Sequence, residues 1–299
     1  MEFSLYKYLD SFVKSKSNKE IIAIPLAVFV IAIIILSFTF ATTGAPVELG
    51  MEFQGGTQIT IETDETSQAL EERYSEYPIN SVRITGDRAI LQFGPMDRET
   101  YESLEGEIRQ AYTSIDIKLI GAVYGQDLQI QALQALIISF IGMAIIVFLI
   151  FKTSVPSMVV ILSATSDIAI ALAFMNIAGI ELTLGTVAAL LMIIGYSVDS
   201  DILLNTRILK RRGSTDEKVS RAMETGLTMT TTTLAALVVM YLVSTYPHVV
   251  VSSLTPISLL SEISIVLIFG LVADIMNTWM LNTGILRWYV DKPGRRLKA

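Results

Sequence analysis

Two carboxyl groups near the end of a long apolar segment are the residues of this chain best suited to chemistry. Residues 182–212 read LTLGTVAALLMIIGYSVDSDILLNTRILKRR, in which Asp199 and Asp201 follow an apolar run and precede a basic one. An ionisable group inside a membrane costs about 2.5–3.5 kcal/mol on insertion scales, so it usually faces another helix or a hydrated path. Because apolar residues continue to Leu209, we expect the helix to include both carboxyls. The alternative is a helix that ends near Ser197, with both aspartates among the lipid headgroups.

Two further apolar segments carry carboxyl groups. Asp167 lies in the middle of one segment, close to Ser163 and Ser166, and Asp274 lies in the middle of another. The serine hydroxyls are placed to hydrogen-bond Asp167, and the alternative is a neutral structural carboxyl bonded to a neighbouring helix. Carboxyls on three spans favour a bundle with a polar centre and make Asp167, Asp274 and the two acids at 199 and 201 candidates for proton transfer or transport. No cation lies in mid-span, so these acids must be protonated, hydrated or paired across a subunit boundary.

Asp199 and Asp201 cannot share one face of a helix, because residues two apart project about 200° from each other. We expect one of the two to face the centre of the bundle. Asp201 is in position to reach Asn205, one turn further along. Arg207 lies six residues after Asp201 and is expected at the membrane interface.

A stripe of polar residues also follows one side of the next apolar segment. It begins with Glu224 and continues with Thr225, Thr228 and Thr232, which are spaced to lie on one helical face. Hydroxyl residues of this kind favour close packing and hydrogen bonding between membrane helices. The alternative is that they line a hydrated path.

The composition predicts a membrane protein. Of the 299 residues, 52% are hydrophobic and 17% are charged, and six segments are long enough to span about 30 Å of hydrocarbon. We place these spans near Ile21–Phe40, Leu128–Phe151, Ser157–Ile177, Leu182–Leu204, Ala222–Val243 and Pro256–Leu281. The first span is predicted to remain as an anchor, because its apolar run is too long for a signal peptide and lacks a cleavage site. Without cysteine, and with His248 as the one histidine, the chain is expected to hold no metal site and no other cofactor.

Charge placement predicts the orientation in the membrane. Between residues 41 and 127 there are 6 Lys and Arg against 16 Asp and Glu, whereas the other 16 basic residues fall at one side of six alternating spans. Under the positive-inside rule that side is cytoplasmic. We therefore expect a multi-pass protein of the cell membrane with both termini in the cytoplasm. The predicted parts are a cytoplasmic N-terminus (1–20), a first span (21–41), an outer domain (42–127), a five-span bundle (128–286) and a cytoplasmic C-terminus (287–299).

The outer segment has the pattern of a small α+β domain. Alternating or apolar runs predict strands at 57–63, 81–85, 89–93 and 115–120, with a hairpin turn at Gly86-Asp87. Helices are expected at 67–77 and from 98 to 112, with Asp97 as the N-cap of the second. The order β-α-β-β-α-β is that of the ferredoxin-like unit. Its acidic surface is expected to keep the domain soluble, and the alternative role is contact with a basic or unfolded polypeptide.

Three sequence features resemble the SecD and SecF family of protein-export proteins. Residues 51–57, MEFQGGT, resemble the signature Asp/Glu-Phe-x-Gly-Gly-Thr that follows the first span, with Phe53, Gly55, Gly56 and Thr57 as the matching positions. The fourth-span residues Gly195, Tyr196 and Ser197, followed by acids and then Arg207, are similar to the SecF motif, as is the threonine-rich run 228–234. The resemblance covers nearly the whole chain, and its Asp-Ser-Asp variant is similar to the archaeal branch of SecF.

The resemblance implies an accessory subunit of the Sec pathway, related to the RND (resistance-nodulation-division) transporters. It implies a six-span SecD-like partner, assistance to unfolded preproteins at the SecY translocon, a bilayer setting and, as in bacterial relatives, use of the proton gradient. It implies no enzyme activity and no nucleic-acid partner. Two positions depart from the bacterial pattern, because Ser200 stands where the family has aspartate and Glu224 stands where it has arginine. Either Asp199 or Asp201 substitutes with another partner, or proton coupling differs in this protein.

Two other functions fit parts of the sequence. An intramembrane aspartyl protease would use Asp167 and Asp199 as two carboxyls that share a proton, although the outer domain has no role in that reaction. An RND-like transporter of small molecules or ions would use the same architecture, although such pumps usually hold two six-span repeats in one chain. The sequence therefore predicts a polytopic α-helical protein, one RND-like half with six spans and a ferredoxin-like domain, that acts in export without being an enzyme.

Overall fold

A computed structural model describes residues 4–85, 87–211, 213–247 and 257–291. Among these residues, six helices are long and apolar enough to cross a membrane, and they match the six predicted spans. The chain is therefore a polytopic helical membrane protein, with a small sheet domain between the first and second spans. The predicted turn residue Gly86, His248 and the predicted start of the sixth span at Pro256 lie outside the described residues.

The helices and strands are numbered in chain order. The helices before the bundle are α1 (Ser4–Ser15), α2 (Asn18–Thr43), α3 (Met51–Gln54), α4 (Ser67–Arg73) and α5 (Arg98–Ala111). The strands are β1 (Gly56–Glu62), β2 (Ile79–Thr85), β3 (Arg88–Phe93) and β4 (Ile115–Ile120). The remaining helices are α6 (Ala122–Phe151), α7 (Ser154–Ala178), α8 (Leu184–Lys210), α9 (Thr215–Thr245), α10 (Ser258–Met276) and α11 (Thr283–Val290), and a π-helical turn, Asn277–Asn282, joins α10 to α11.

Helix α8 continues past Ser197, the alternative end considered from the sequence. It begins after Thr183, whose hydroxyl accepts from the Thr186 N–H while the Thr186 side chain accepts from the Thr183 N–H, an arrangement that satisfies two of the free donors at a helix start. It then runs without interruption to Lys210. The prediction that the helix includes Asp199 and Asp201 is confirmed.

The helices differ in how deeply they are buried. Helices α7 and α8 form the centre of the bundle, whereas α2 and α6 are mostly exposed, as expected for helices that face lipid. Small residues allow close approach at the centre, since a side chain at Gly226 would collide with the buried ring of Trp279 and one at Gly270 with Ile193. Close packing of this kind is the main source of cohesion between helices in a membrane.

The sheet domain has four antiparallel strands in the order β2-β3-β1-β4. The alternate residues of β1 and β3 that point to one face form a core with α4 and α5, which includes Ile59, Leu91 and Leu104. The opposite face carries polar side chains such as Gln58 and Gln92. All four predicted strands are present, and β2 and β4 are the two edge strands of the sheet.

Two predictions about the helices of this domain have different outcomes. Asp97 is the N-cap of α5, because its carboxylate accepts from the Thr100 N–H at 2.8 Å, and this hydrogen bond lowers the pKa of Asp97 below its usual value. The other helix was predicted to reach Tyr77, but α4 ends at Arg73. Tyr74 is fully buried in the domain core beside Phe93, and the chain turns there to reach β2.

A short amphipathic helix, for which the sequence analysis assigned no element, packs against the basic end of the bundle. Helix α1 places Val13 in a core with residues of α8, α9 and α11. The Arg287 guanidinium donates to the main-chain oxygen of Val13 at 2.8 Å and pairs with Asp216 at 2.7 Å. Arg287 was predicted as the first residue of a tail, but it is a buried residue of α11 that fastens α1.

A buried carboxyl cluster and the seat of the sheet domain

Three carboxyl groups from three helices meet at the centre of the bundle. Asp167 on α7, Asp201 on α8 and Asp274 on α10 are all at most 1% exposed. They belong to the three spans on which the sequence placed acids, so the predicted polar centre is present. We refer to these three residues and their hydrogen-bond partners as the carboxyl cluster.

Asp167 is bonded by groups from two neighbouring helices. Its carboxylate accepts from the Ser197 hydroxyl at 2.5 Å and from the Asn277 amide at 2.6 Å. The Asn277 amide also donates to the Ser166 hydroxyl. The expected bond from Ser166 or Ser163 to Asp167 is absent, because groups on α8 and the π-helical turn occupy both carboxyl oxygens.

Asp201 is held by the last turns of the sixth span. One of its oxygens accepts from Thr278 at 2.9 Å and from Asn282 at 2.7 Å. Asn205 was expected to reach this carboxyl, but its amide donates instead to the main-chain oxygen of Asp201 and to the Asn282 side chain. In a helix, the side chain of Asn205 lies close to the main-chain carbonyl four residues earlier, which here belongs to Asp201.

Asp274 shares a hydroxyl donor with Asp201. Ser200 lies 2.9 and 3.1 Å from the two oxygens of Asp274, and Thr278 lies 3.0 Å from the nearer one. Thr278 has a single hydroxyl proton, so it can donate to only one of the two carboxyls that it contacts. A proton on the other carboxyl would let that group donate to the Thr278 oxygen, so that both contacts are full hydrogen bonds. The geometry therefore suits a proton shared between Asp201 and Asp274.

No positive side chain compensates the cluster within the part of the chain that the structure describes, since none of its ion pairs includes Asp167, Asp201 or Asp274. The second oxygen of Asp201 and the Ser163 hydroxyl are buried there without a hydrogen-bond partner. Ionised carboxyls in an apolar interior are very costly without a cation. The cluster is therefore chemically suited to binding protons, and no three His, Cys, Asp or Glu side chains of the described segments are arranged to hold a metal ion.

The π-helical turn brings the amide donors together. Asn277 and Asn282 are five residues apart and would project about 140° from each other on an α-helix. In a π-helix the main-chain hydrogen bonds join residues five apart, so two such residues lie on the same side of the turn. This places Asn277 at Asp167 and Asn282 at Asp201. Turns of this rare type are often found at functional sites.

Asp199 lies outside the cluster. Its side chain is exposed on the outer face of α8, which it shares with Gly195 and Tyr196, whereas Ser197 of the same motif is buried. The prediction that one of the two acids faces the centre is therefore confirmed, and that acid is Asp201. Asp167 and Asp199 are not brought together, so the particular carboxyl pair predicted for an aspartyl protease does not form.

The polar residues of α9 also point away from the other helices of the chain. Glu224, Thr225, Thr228 and Thr232 are exposed, and Thr230 is the buried threonine between them. The exposed hydroxyls donate to main-chain oxygens of their own helix, for example Thr228 to Glu224 at 2.7 Å. The predicted role of this stripe in packing is wrong for contacts within the chain. We call the exposed face of α8 at Gly195, Tyr196 and Asp199, with this α9 stripe, the polar outer face.

The double-glycine signature fastens the sheet domain to the bundle. Gly55 and Gly56 have φ of 76° and 132°, backbone angles that residues other than glycine rarely adopt. A side chain at Gly56 would also collide with the main-chain oxygen of Phe93. Phe53 is fully buried, and its main-chain oxygen accepts from Gln129 of α6 at 2.8 Å. Thr57, the last residue of the signature, is also fully buried.

A second connection joins the domain to the loop between α7 and α8. The N–H of Gly50 donates to the main-chain oxygen of Leu182, and the N–H of Leu182 donates to the oxygen of Glu48. Arg83 of β2 lies 2.9 Å from Glu181 and 3.9 Å from Glu262 at the start of α10. No local sequence pattern marks Arg83 as a contact residue, because its partners are far away along the chain.

Glu181 is the titratable group at this contact. Burial raises the pKa of Glu181, the Arg83 guanidinium opposes that rise, and the nearby carboxyls of Glu48 and Glu52 add to it. Ionisation of Glu181 is thus less favourable in the docked domain than in water. The folded protein therefore favours the protonated form of this carboxyl more than water does, although the ion pair with Arg83 itself requires the ionised form.

The hydrogen bonds of Asp201 predict different effects for two substitutions. Asp201→Asn retains the shape and an oxygen acceptor, so we expect a loss of stability below about 1 kcal/mol. Asp201→Ala leaves the Asn282 amide buried without its acceptor, which costs about 1–3 kcal/mol, whereas Thr278 can still donate to Asp274. Thermal unfolding of the purified protein measures the difference. Equal melting temperatures for the Ala and Asn variants would contradict the described bonding.

The raised pKa of Glu181 predicts a pH dependence. The stability that it adds is complete below the ordinary pKa of a glutamate and is lost as pH rises through the raised value. Hydrogen exchange at residues 48–57 should therefore be faster at about pH 8 than at about pH 5 after correction for the intrinsic rate. Glu181→Gln should reduce this difference, and the exposed-site control Glu99→Gln should not. An unchanged difference in Glu181→Gln would show that another group is responsible.

Comparisons with known proteins agree with this architecture. Residues 100–292 match the family described as protein export membrane protein SecD/SecF, C-terminal, and residues 40–67 match the SecD/SecF GG motif. The chain is 45% identical to a protein-export membrane protein SecF of Methanolacinia petrolearia, covering 93% of this chain and 95% of the relative. It is 43% identical to the SecF of Haloferax volcanii, covering 91% and 93%, and 41% identical to that of Pyrococcus furiosus, covering 92% of each.

A solved structure has the same fold. The crystal structure of SecDF, described as a translocon-associated membrane protein, from Thermus thermophilus superposes with a TM-score of 0.70 at 19% identity. The match covers 91% of this chain and 38% of the SecDF chain, so this protein spans less than half of that longer polypeptide. The matched family model, the double-glycine motif and the similar relatives together show that the chain belongs to the SecF proteins of the SecD/SecF protein-export family.

Proposed function

We propose that this chain is one half of a two-part export complex and acts beside a SecD-like protein with six spans. The complex would assist the passage of unfolded preproteins through a SecY-type translocon. Membership of the SecF proteins supports this proposal, as does the match to 38% of a SecDF chain in which a second half is present.

The polar outer face is the observation that carries the proposal. Asp199 and Glu224 are exposed carboxyls on helices that are apolar enough to span a membrane. Polar groups in spans are costly against lipid and normally face protein or a hydrated cavity. Gly195 on this face has no neighbour within 4 Å of where a side chain would start, which leaves room for a partner helix to approach closely. The SecD-like partner is proposed to cover this face.

The carboxyl cluster is proposed to couple the complex to the proton gradient. Thr278 contacts both Asp201 and Asp274, and one shared proton would be gained and lost as the cluster becomes accessible from each side. In this arrangement Asp201 and Asp274 take the place of the Asp–Arg pair of bacterial relatives, and Ser200 acts as a hydrogen-bond donor to Asp274. Protonation changes would alter the bonds that join α7, α8 and the π-helical turn.

The orientation follows from charge. The sheet domain is proposed to lie outside the cytoplasmic membrane and both termini in the cytoplasm, because the basic residues are concentrated at the opposite end of the bundle. The β-α-β-β-α-β order and the strand order support a ferredoxin-like unit. Its acidic, polar surface would contact the emerging polypeptide.

Cysteine cross-linking tests the partner face, and this chain has no native cysteine that would compete with the introduced one. Thr228→Cys should form a cross-link to the SecD-like protein in native membranes. Ile138→Cys on α6, which is 68% exposed, is the matched control at similar depth and should not. Cross-linking of the control alone would contradict the assignment of the partner face.

Export assays test the role of the cluster. Asp201→Asn and Asp274→Asn should each lower proton-driven export by about 100-fold, the smaller value expected when a proton-transfer group is lost. Both variants should still co-purify with the partner, because the cluster is buried within one chain. Asp116→Asn in the sheet domain is the control. Normal export by the double variant would leave the cluster with a structural role only.

A further inference from the structure

A basic cleft lies at the end of the bundle that is opposite the sheet domain. It is lined by Arg207, Lys210 and Arg211 at the end of α8, and by Glu217, Lys218 and Arg221 at the start of α9. Its volume is about 440 Å³, which is enough for a small polar ligand. The export mechanism proposed above does not use it.

The positive charge of the basic cleft is only partly compensated. Glu217 pairs with Arg221 at 2.6 Å, and the Lys218 ammonium donates to the main-chain oxygen of Ile208. None of the described hydrogen bonds or ion pairs uses the side chains of Arg207, Lys210 or Arg211. Three cationic groups therefore converge with open donors. Neighbouring like charges repel one another, and an anion between them would remove that cost.

A purely structural explanation accounts for only part of the cleft. Arg207 and Lys210 are in the last turn of α8, where cations interact favourably with the helix dipole. Lys218 lies at the end of the first turn of α9, where the same dipole disfavours positive charge, and Arg221 lies about one turn further along. The main-chain dipoles therefore do not explain why cations of both helices face one cleft. The enrichment of basic residues at cytoplasmic membrane ends accounts for their number, and a bound anion accounts for their convergence on one cleft.

The chemistry of the cleft matches phosphate. Two guanidinium groups can each donate two parallel hydrogen bonds to phosphate oxygens, and an ammonium group adds a point charge. Helices α8 and α9 both span the bilayer by length and composition, so the cleft lies at the depth of the headgroups. Basic pockets at this depth are suited to lipid phosphates. We propose that the basic cleft binds the phosphate group of an anionic membrane lipid, with Arg207, Lys210 and Arg211 as its main ligands.

Thermal stabilisation of the full chain in neutral detergent tests this site. The probes are short-chain phosphatidylglycerol, short-chain phosphatidylcholine and inorganic phosphate. Phosphatidylglycerol should raise the melting temperature in a saturable way and more than phosphatidylcholine does. Equal stabilisation by inorganic phosphate at the same concentration would overturn the lipid as the source of the phosphate group.

Substitutions in the basic cleft test whether phosphatidylglycerol binds there. The triple variant Arg207→Gln, Lys210→Gln, Arg211→Gln should weaken binding of phosphatidylglycerol by at least about tenfold. The triple variant Arg88→Gln, Arg98→Gln, Arg109→Gln removes the same charge from the sheet domain and should bind as the unmodified chain does. Equal weakening in both variants would mean a general charge effect and would overturn the site.

A milder variant keeps the test decisive if the triple variant does not fold. Lys210 is exposed and has no described bond, so Lys210→Gln alone should fold normally and weaken binding by about fivefold. Arg207→Lys with Arg211→Lys keeps the charge but removes the paired donors, and it should bind less tightly than the unmodified chain. Unchanged affinity in both of these variants would overturn the proposal.

Discussion

Three carboxyl groups lie in an interior where the described residues provide no compensating cation. The helices around them are arranged so that each acid is hydrogen-bonded by another helix. Ser197 of α8 serves Asp167 of α7, Ser200 of α8 serves Asp274 of α10, and the π-helical turn serves both Asp167 and Asp201. A buried polar group without a partner costs more than an ordinary hydrogen bond gains. Rotation of any one of these helices would leave several groups unbonded. The polar centre therefore fixes the rotation of α7, α8 and the sixth span, which apolar packing alone would leave loosely specified.

The sequence was sufficient to predict the spans and which of them carry acids. A long apolar run defines a span by itself, and the acids within it are read directly. The faces were harder to assign, because the spacing of Asp199 and Asp201 shows only that they point in different directions. The threonine stripe of α9 illustrates the same limit, since spacing shows that three residues share a face but not whether that face meets the chain's own helices. The structure resolves both cases through burial.

Other features depend on contacts between distant parts of the chain. Asn282 was missed because it follows the predicted end of the sixth span at residue 281, and the π-helical turn that directs it inward depends on the acids of α7 and α8. Arg83 and Glu181 are brought together by folding although they are 98 residues apart. The sheet domain was predicted well because its signals are local: alternation in the strands, an N-cap at Asp97 and a signature with two glycines. The shortened α4 is the exception, since burial of Tyr74 determines where it ends.

Helix α6 connects the two parts of the molecule mechanically. It is one uninterrupted helix of 30 residues, about 45 Å long at 1.5 Å per residue, and the sheet domain is attached to its first turns through Phe53 and Gln129. The domain is thus attached near one end of α6, whose other end lies at the far side of the bundle. A tilt of about 5° would carry the attached end sideways by about 4 Å, and such a shift would break the second connection of the domain, at Leu182 and Glu181.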